Sequence, residues 1–314
     1  MKKNKISIVV PAYNEQQSIP ILLKQVVEVL PKSVDYEIII VDDGSRDDTA
    51  NVVMKEHGLN PCIHLISFSR NFGHQYALKA GLDVADGDCV ITMDADLQHP
   101  PQLLPKLIQS WQEGYDVVYT VRRESNKTSF FKRISSRLYY RLFNFLTGLH
   151  LMAGSADFRL LDRRVVQEIR NLPERMLFLR GMISWMGFRQ KSIPYMPAER
   201  YAGKSRYTLR KMFSLALTGA TSFSLKPLRL AVYMGLMVAF LGCLLTAYVL
   251  YMRLFNGSVI SGWASTLCVI LILGGVQLLM MGIIGEYIGM IFMESKRRPQ
   301  YIISKTTLNR GNND

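Results

Sequence analysis

Asp94-Ala95-Asp96 closes a short apolar run, Cys89–Met93, and leads into Leu97-Gln98-His99-Pro100-Pro101. Where a strand ends the backbone turns, and both carboxylates can approach one cation. A hard divalent ion, Mg²⁺ or Mn²⁺, takes oxygen ligands and usually keeps substrate phosphates among them. Gln98 can supply a further oxygen. The bland alternative is a solvated turn, but the buried strand before the acids and the proline segment after them favour a site. Two earlier clusters have the same placement: Pro11-Ala12-Tyr13-Asn14-Glu15 after one apolar run, and Asp42-Asp43-Gly44-Ser45 after another. They offer an aromatic ring at Tyr13 and carboxylates at Glu15, Asp42 and Asp43 for base or ribose hydrogen bonds. Gly44 permits close backbone approach. Asp42 followed by Gly44 is equally turn chemistry.

The elements that must position these clusters follow from periodicity. Ile6–Val10 is a β-branched run, stopped by Pro11. Residues 18–30 have helical spacing, with Ile19, Leu22, Leu23, Val26 and Val27 on one stripe. Glu37–Val41 and Ile63–Phe68 read as strands, with helices at 49–57 and 75–84, and Cys89–Met93 as a fourth strand. Strand and helix in alternation predict an α/β fold, a mostly parallel sheet with helices on both faces. Ligands bind beyond the carboxyl ends of the strands in such sheets, which is where all three clusters fall.

The formal charge of +13 over 314 residues calls for an anionic partner. Basic residues crowd 122–141 and 200–229 and recur at Lys296-Arg297-Arg298. That is a juxtamembrane pattern. No helix-turn-helix, zinc-finger or RNA-recognition motif is visible, which argues against nucleic acid. Cys62, Cys89, Cys243 and Cys268 have neither metal-ligand nor redox spacing and read as free thiols. Residues 130–146 and 209–223 interleave basic with aromatic and aliphatic side chains, as helices lying in a lipid interface do. Leu230–Met252 and Ala264–Ile284 are each long enough to cross a hydrocarbon layer of about 30 Å, and glycines such as Gly285 and Gly289 offer small surfaces for helix packing. The loop between the spans, Arg253–Trp263, carries one positive charge, whereas both outer flanks are basic. The positive-inside bias puts both termini and the soluble part in the cytoplasm. The expected division is a catalytic domain over 1–227, a transmembrane hairpin over 228–295 and a basic cytoplasmic tail over 296–314.

Pro-Ala-Tyr-Asn-Glu at 11–15, Val-Asp-Asp-Gly-Ser at 41–45, Asp-Ala-Asp-Leu-Gln-His-Pro-Pro at 94–101 and Asp-Phe-Arg-Leu at 157–160 resemble the inverting GT-A glycosyltransferases of family 2. Within it the chain is most similar to the polyprenyl-phosphate and dolichyl-phosphate sugar transferases, and the likeness runs from Ile6 through the hairpin. The resemblance implies a Rossmann-like GT-A domain in which Pro11, Tyr13, Glu15, Asp42, Asp43 and Asp94 hold the nucleotide. It implies that Asp94, Asp96 and Gln98 take a divalent metal and the diphosphate, and that Arg122 meets phosphate. Arg133, Ser136, Arg200, Lys204 and Arg206 resemble positions that bind lipid phosphate. Asp157 stands where relatives place a catalytic aspartate, beside Asp96 as the second catalytic position. Its usual role would be general base. A phosphate monoester, however, has its second pKa near 6 and is largely ionised at neutral pH. Asp157 then either orients the donor sugar or stabilises charge at the anomeric carbon, and its rival reading is a salt bridge with Arg159 or another base.

The implied reaction is one in-line displacement with inversion. A sugar, glucose by expectation, passes from a UDP-sugar to a polyprenyl phosphate such as undecaprenyl phosphate, in a homo-oligomeric enzyme of the cytoplasmic membrane. UDP-N-acetylglucosamine and modified pentoses remain open as donors. Two rivals stand beside it. A processive polysaccharide synthase would carry Gln-x-x-Arg-Trp, yet Trp185 follows Ser184. A membrane-tethered protein that only binds or transports sugar nucleotides would show no turnover.

Overall fold

The computed structural model describes residues 4–31, 33–122, 141, 144–145, 147–148, 152, 154–175, 177–196, 224–255 and 262–308. The chain divides into two compact units. One comprises Met1–Asn144, Leu149–Thr208 and Arg298–Asp314, the other Phe145–Gly148 and Leu209–Arg297.

The described residues of the first unit build one eight-stranded sheet. Its strands are β1 (Lys5–Ala12), β2 (Asp35–Asp42), β3 (Ile63–Phe68), β4 (Cys89–Thr92), β5 (Val117–Arg122), β6 (Ser155–Asp162), β7 (Gln190–Tyr195) and β8 (Ile303–Thr306). Their order is β7-β5-β6-β4-β1-β2-β3-β8. β1 runs parallel to β2 and β4, β2 to β3, and β5 to β7; β6 is antiparallel to β4 and β5, and β8 to β3. The helices are α1 (Ser18–Val29), α2 (Thr49–Leu59), α3 (His74–Val84), α4 (Leu104–Gln112), α5 (Arg163–Asn171) and α6 (Leu179–Trp185).

Side chains alternate across a strand, so each strand feeds two cores. Ile6, Ile8 and Val10 of β1 join Ile38 and Ile40 of β2, Ile19, Leu22 and Val26 of α1, and Leu104 and Leu107 of α4 in one buried cluster. On the opposite face α3 lies directly on β1. A Cβ at Gly81 would sit 2.2 Å from Val9 Cγ1, so only glycine allows that approach. Helices therefore cover both faces, as the alternation predicts.

Pro11 does not stop the first strand; it lies inside β1, opposite Val41. The carbonyl of Val9 accepts from Met93 N–H on the β4 side, and that of Ala12 accepts from Asp43 N–H on the β2 side. Alternation turns the Pro11 nitrogen toward β4, which has already ended at Thr92. No ladder bond is lost there.

The segment read as a basic tail contributes a strand. Ile303–Thr306 pairs antiparallel with the outer edge of β3, where a row of backbone donors and acceptors would otherwise face solvent.

The second unit contains α7 (Lys226–Phe255) and α8 (Trp263–Ser295). Ala231–Met252 and Ile272–Ser295 have mean hydropathies of 2.0 and 1.7 and are long and apolar enough to cross a membrane. The second window lies further along than Ala264–Ile284. A Cβ at Gly274, Gly275, Gly282, Gly285 or Gly289 would meet no described atom within 4 Å. A Cβ at Gly235 would lie 3.3 Å from Met280 Cε on the other helix. Most of 130–146 and all of 209–223, the two expected interfacial helices, lie outside the described residues.

Candidate active site

The loops after β1 and β2 are stitched to each other. Asn14 N–H donates to Ser45 Oγ at 2.9 Å, and Asn14 Oδ1 accepts from Arg46 N–H at 2.9 Å. Glu15 N–H donates to Thr49 Oγ1 at 3.0 Å, and the Glu15 carboxylate accepts from Ser18 Oγ. Asn14 holds a left-handed φ of 57°, which an asparagine tolerates and which turns the loop back. Tyr13 remains 40% exposed at the strand end, free to meet a flat ligand.

Asp42 and Asp43 are both buried, and their carboxylates shape the loops. Asp42 Oδ1 accepts from Ser45 N–H at 3.0 Å, and Oδ2 from Ser67 Oγ at 2.7 Å. Asp43 Oδ1 accepts from Phe72 N–H at 2.7 Å, and Oδ2 from Gly73 N–H at 3.0 Å. Burial pushes the Asp43 carboxyl up, and these two amide bonds oppose the shift. Between the acids and Ser45, Gly44 adopts φ +66°, and a Cβ on it would lie 2.4 Å from the Arg70 carbonyl carbon. The β2 turn and the segment after β3 therefore touch backbone to backbone.

Beyond β4 the chain turns sharply, with Leu97 at φ 62°. Asp96 Oδ1 accepts from Gln98 N–H at 3.1 Å, which fixes the acid at the turn. Asp94 N–H donates to His99 Nδ1 at 3.0 Å, so the His99 proton sits on Nε2. Asp94 Oδ1 is buried and accepts no hydrogen bond from any described residue; His74 Nε2 lies 3.5 Å away. An acceptor left in that state suits a cation. No group of three His, Cys, Asp or Glu side chains among the described residues forms a metal cage. Two carboxylates and an amide oxygen instead fit an ion whose coordination a substrate completes. Asp96, Asn14, Glu15 and Asp47 line a cavity of about 220 Å³.

Asp157 reaches this end of the sheet by register. β4 and β6 pair Cys89 with Asp162 and Thr92 with Arg159. Two steps further, the same register sets Asp157 opposite Asp94. Its carboxylate is not solitary. Arg180 donates through Nε to Oδ1 and through Nη2 to Oδ2, both at 2.8 Å. Arg159 Nη2 lies 3.4 Å from Oδ1, and His74 Nε2 lies 3.5 Å from Oδ2. Burial alone would raise the Asp157 pKa, but Arg180, His74 and Arg159 outweigh it and hold the carboxyl well below the ordinary value. Burial brings the Arg159 guanidinium down to about 10 despite Asp157. Burial would also lower His74, yet its hydrogen bond to Asp157 and the charges of Asp94 and Asp157 leave it raised. Asp157 is thus ion-paired, chiefly with Arg180.

Arg122 ends β5, and its N–H donates to Gly154 O at 2.9 Å. The β5–β7 ladder sets it beside Tyr195. Burial pushes the Tyr195 phenol up, and the charges of Arg122, Asp94, Asp96 and Arg180 all reach it. The charges of Asp94, Asp96, Arg122 and Arg180 thus converge on Tyr195. Arg133, Ser136, Arg200, Lys204 and Arg206 lie outside the described residues. Sequence reasoning passed over His74, Arg180 and Tyr195. His74 follows Phe72-Gly73 and Arg180 precedes Gly181, so the only local signal was a cationic side chain next to glycine at a helix start.

The model of the family described as "Glycosyl transferase family 2" matches residues 7–170, and that described as "GtrB C-terminal hairpin" matches residues 226–291. The bactoprenol glucosyl transferase of Shigella phage SfII is 43% identical over 309 residues, 98% of this chain and 99% of its own. A prophage bactoprenol glucosyl transferase homolog of Escherichia coli (strain K12) is 41% identical over 302 residues, 96% and 99% of the two chains. The glycosyltransferase YkcC of Bacillus subtilis (strain 168) is 43% identical over 301 residues, 96% and 93% of the two. With a mostly parallel GT-A sheet, an acid pair beyond β4 and this near-complete likeness, the chain belongs to glycosyltransferase family 2.

Proposed function

We propose that this enzyme transfers glucose from UDP-glucose to undecaprenyl phosphate on the cytoplasmic face of the membrane, in one inverting displacement. The observation that carries the reading is the placement of the Asp94–Asp96 turn and the guanidinium-bound Asp157 across one strand pair. It sits in a chain whose likeness to bactoprenol glucosyl transferases continues through the hairpin.

Tyr13 offers its ring to the uracil, and the loops locked by Asp42 and Asp43 frame the ribose. Asp94, Asp96 and Gln98 would hold a divalent cation, which would neutralise the departing diphosphate. Arg122 faces phosphate at the same strand ends. The prenyl phosphate is largely ionised at neutral pH, so its oxygen can attack the anomeric carbon without a base. Arg133, Ser136, Arg200, Lys204 and Arg206 belong to this reading as acceptor contacts.

The pairing of β8 with β3 supports the topology. Residues after α8 join the same sheet as residues before α7, so a hairpin that crosses the membrane enters and leaves on one side. Basic flanks make that side the cytoplasm.

The test is transfer by full-length protein in lipid nanodiscs, from radiolabelled UDP-glucose to undecaprenyl phosphate. An organic-extractable product that requires Mg²⁺ or Mn²⁺ is expected. Undiminished transfer after chelation, or no lipid product from any UDP-sugar, would overturn the reading.

A further inference from the structure

We propose that Arg180 is a phosphate-binding residue of this active site and that Asp157 serves as its positioning residue, not as a proton acceptor. The inference rests on the reading above and concerns which groups grip the reacting phosphates.

Both oxygens of Asp157 are already engaged by Arg180 in a two-pronged pair, with Arg159 against one and His74 against the other. A proton arriving there would have to displace a guanidinium. The pair instead fixes the plane of Arg180, because a carboxylate matched to Nε and Nη2 leaves the planar fork little freedom. Arg180 starts α6, and its side chain is about one-third exposed, 32%, whereas that of Asp157 is 8% exposed. Arg159 is buried, and its Nη2 also donates to Ala156 O at 2.9 Å. Of the two guanidiniums on Asp157, Arg180 is the one a ligand can reach.

Charge balance points the same way. Among the described residues, the Asp157 carboxylate is shared by two guanidiniums, Arg180 and Arg159, so it does not claim the whole charge of either. It lies across the β4–β6 end from Asp94, and the Tyr195 phenol feels Arg122 and Arg180 together with both acids. A part-exposed guanidinium beside the acid pair suits an anion arriving at that pair. Arg is well matched to phosphate oxygens. Two phosphates meet in this reaction, that of the lipid acceptor and the diphosphate of the donor.

Arg180→Gln and Arg180→Lys decide the matter, because Asp157 keeps Arg159 as a partner in both. Donor and acceptor affinities are read by direct binding of UDP-glucose and undecaprenyl phosphate, which needs no turnover, and kcat and KM are read separately. Arg180→Gln should weaken one phosphate ligand by about 10- to 100-fold, the range for a lost charge-assisted hydrogen bond, with the other within about twofold. Weakened lipid binding assigns the acceptor phosphate; weakened UDP-glucose binding assigns the donor diphosphate. Arg180→Lys should recover part of the loss. Asp157→Asn should shift the same ligand as Arg180→Gln, and the double variant should add little further. The proposal is overturned if Arg180→Gln, with an unchanged melting temperature, leaves both affinities within twofold. It is equally overturned if Asp157→Asn collapses kcat while both affinities stay at wild type, the signature of a lost base. Absence of lipid-linked product from wild type would remove the proposed function, and the binding comparison would still decide Arg180.

Discussion

The ring of Tyr301 lies on that of Phe68, centroids 5.1 Å apart and 15° from parallel, and its hydroxyl donates to Asp83 at 2.9 Å. This contact joins the chain after the second long helix to the end of β3. Ser69 N–H donates to Ile302 O, and Thr307 N–H to Leu65 O, both at 3.0 Å. The segment leaving β3 supplies the amides of Phe72 and Gly73 that hold Asp43. β8 thus braces the loop that frames the proposed nucleotide pocket.

Removing 299–314 should therefore weaken UDP-glucose binding as well as lower the melting temperature. Tyr301→Ala alone should cost ~1 kcal/mol, the order of one aromatic stack. A chain in which a flexible linker replaces 226–297 and β8 is kept should retain donor affinity and lose mainly long-chain acceptor use. Calorimetry with UDP-glucose separates the two. Equal donor affinity in both deletions would contradict the bracing role.

Gly44→Ala should be far more damaging than a surface glycine change. The added carbon would lie 2.4 Å from backbone at Arg70 and at a positive φ, where no flexible side chain can yield. A loss of ~2 kcal/mol or more is expected from overpacking and strain together. Thermal unfolding and the KM for UDP-glucose check it; wild-type values for both would refute it.

Asp96→Asn and Asp42→Asn should fail differently. Asp96 accepts a local amide at its turn and faces the cavity, so its variant should fold and lose metal-dependent transfer by about 100-fold or more. Asp42 holds Ser45 and Ser67 inside the protein, so its variant should lower the melting temperature first. Melting curves beside transfer at saturating Mn²⁺ distinguish them.

Glu37 anchors the opposite end of the sheet and should carry a pH signature. It accepts from Ser7 Oγ at 2.5 Å and Asp86 N–H at 2.7 Å, and Lys5 Nζ lies 2.8 Å away. Burial would raise its pKa, but Lys5, Ser7 and the Asp86 amide hold it below the ordinary 4.5. A carboxyl lowered by folding stabilises fully above its unfolded pKa and loses that contribution as pH falls through the folded value. Glu37→Gln should cost about 2 kcal/mol at neutral pH. The gap in melting temperature from wild type should shrink once pH is taken below about 4. A gap independent of pH would assign the effect to packing alone.

Much of the site was legible because its parts are local. Each apolar run before an acidic cluster became a strand with its cluster at the carboxyl end, from Pro11–Glu15 to Asp94–Gln98. Two local signals misled. Pro11 looked like a stop, yet it is harmless where β4 has already ended. Ile303–Thr306 looked like tail, with only its first residue half-buried, because an edge strand shows little of the alternation that marks a strand between neighbours.

By itself, the sequence determined the strand and helix periods, the acids at the strand ends and two stretches apolar enough to span a membrane. Tertiary structure alone decided that Arg180 faces Asp157, that His74 lies between Asp157 and Asp94, and that β8 closes on β3. Periodicity records how each segment meets a core, and that is written residue by residue. The choice of which cation meets which carboxylate depends on sheet register and helix packing between distant segments, and neither leaves a spacing in the chain.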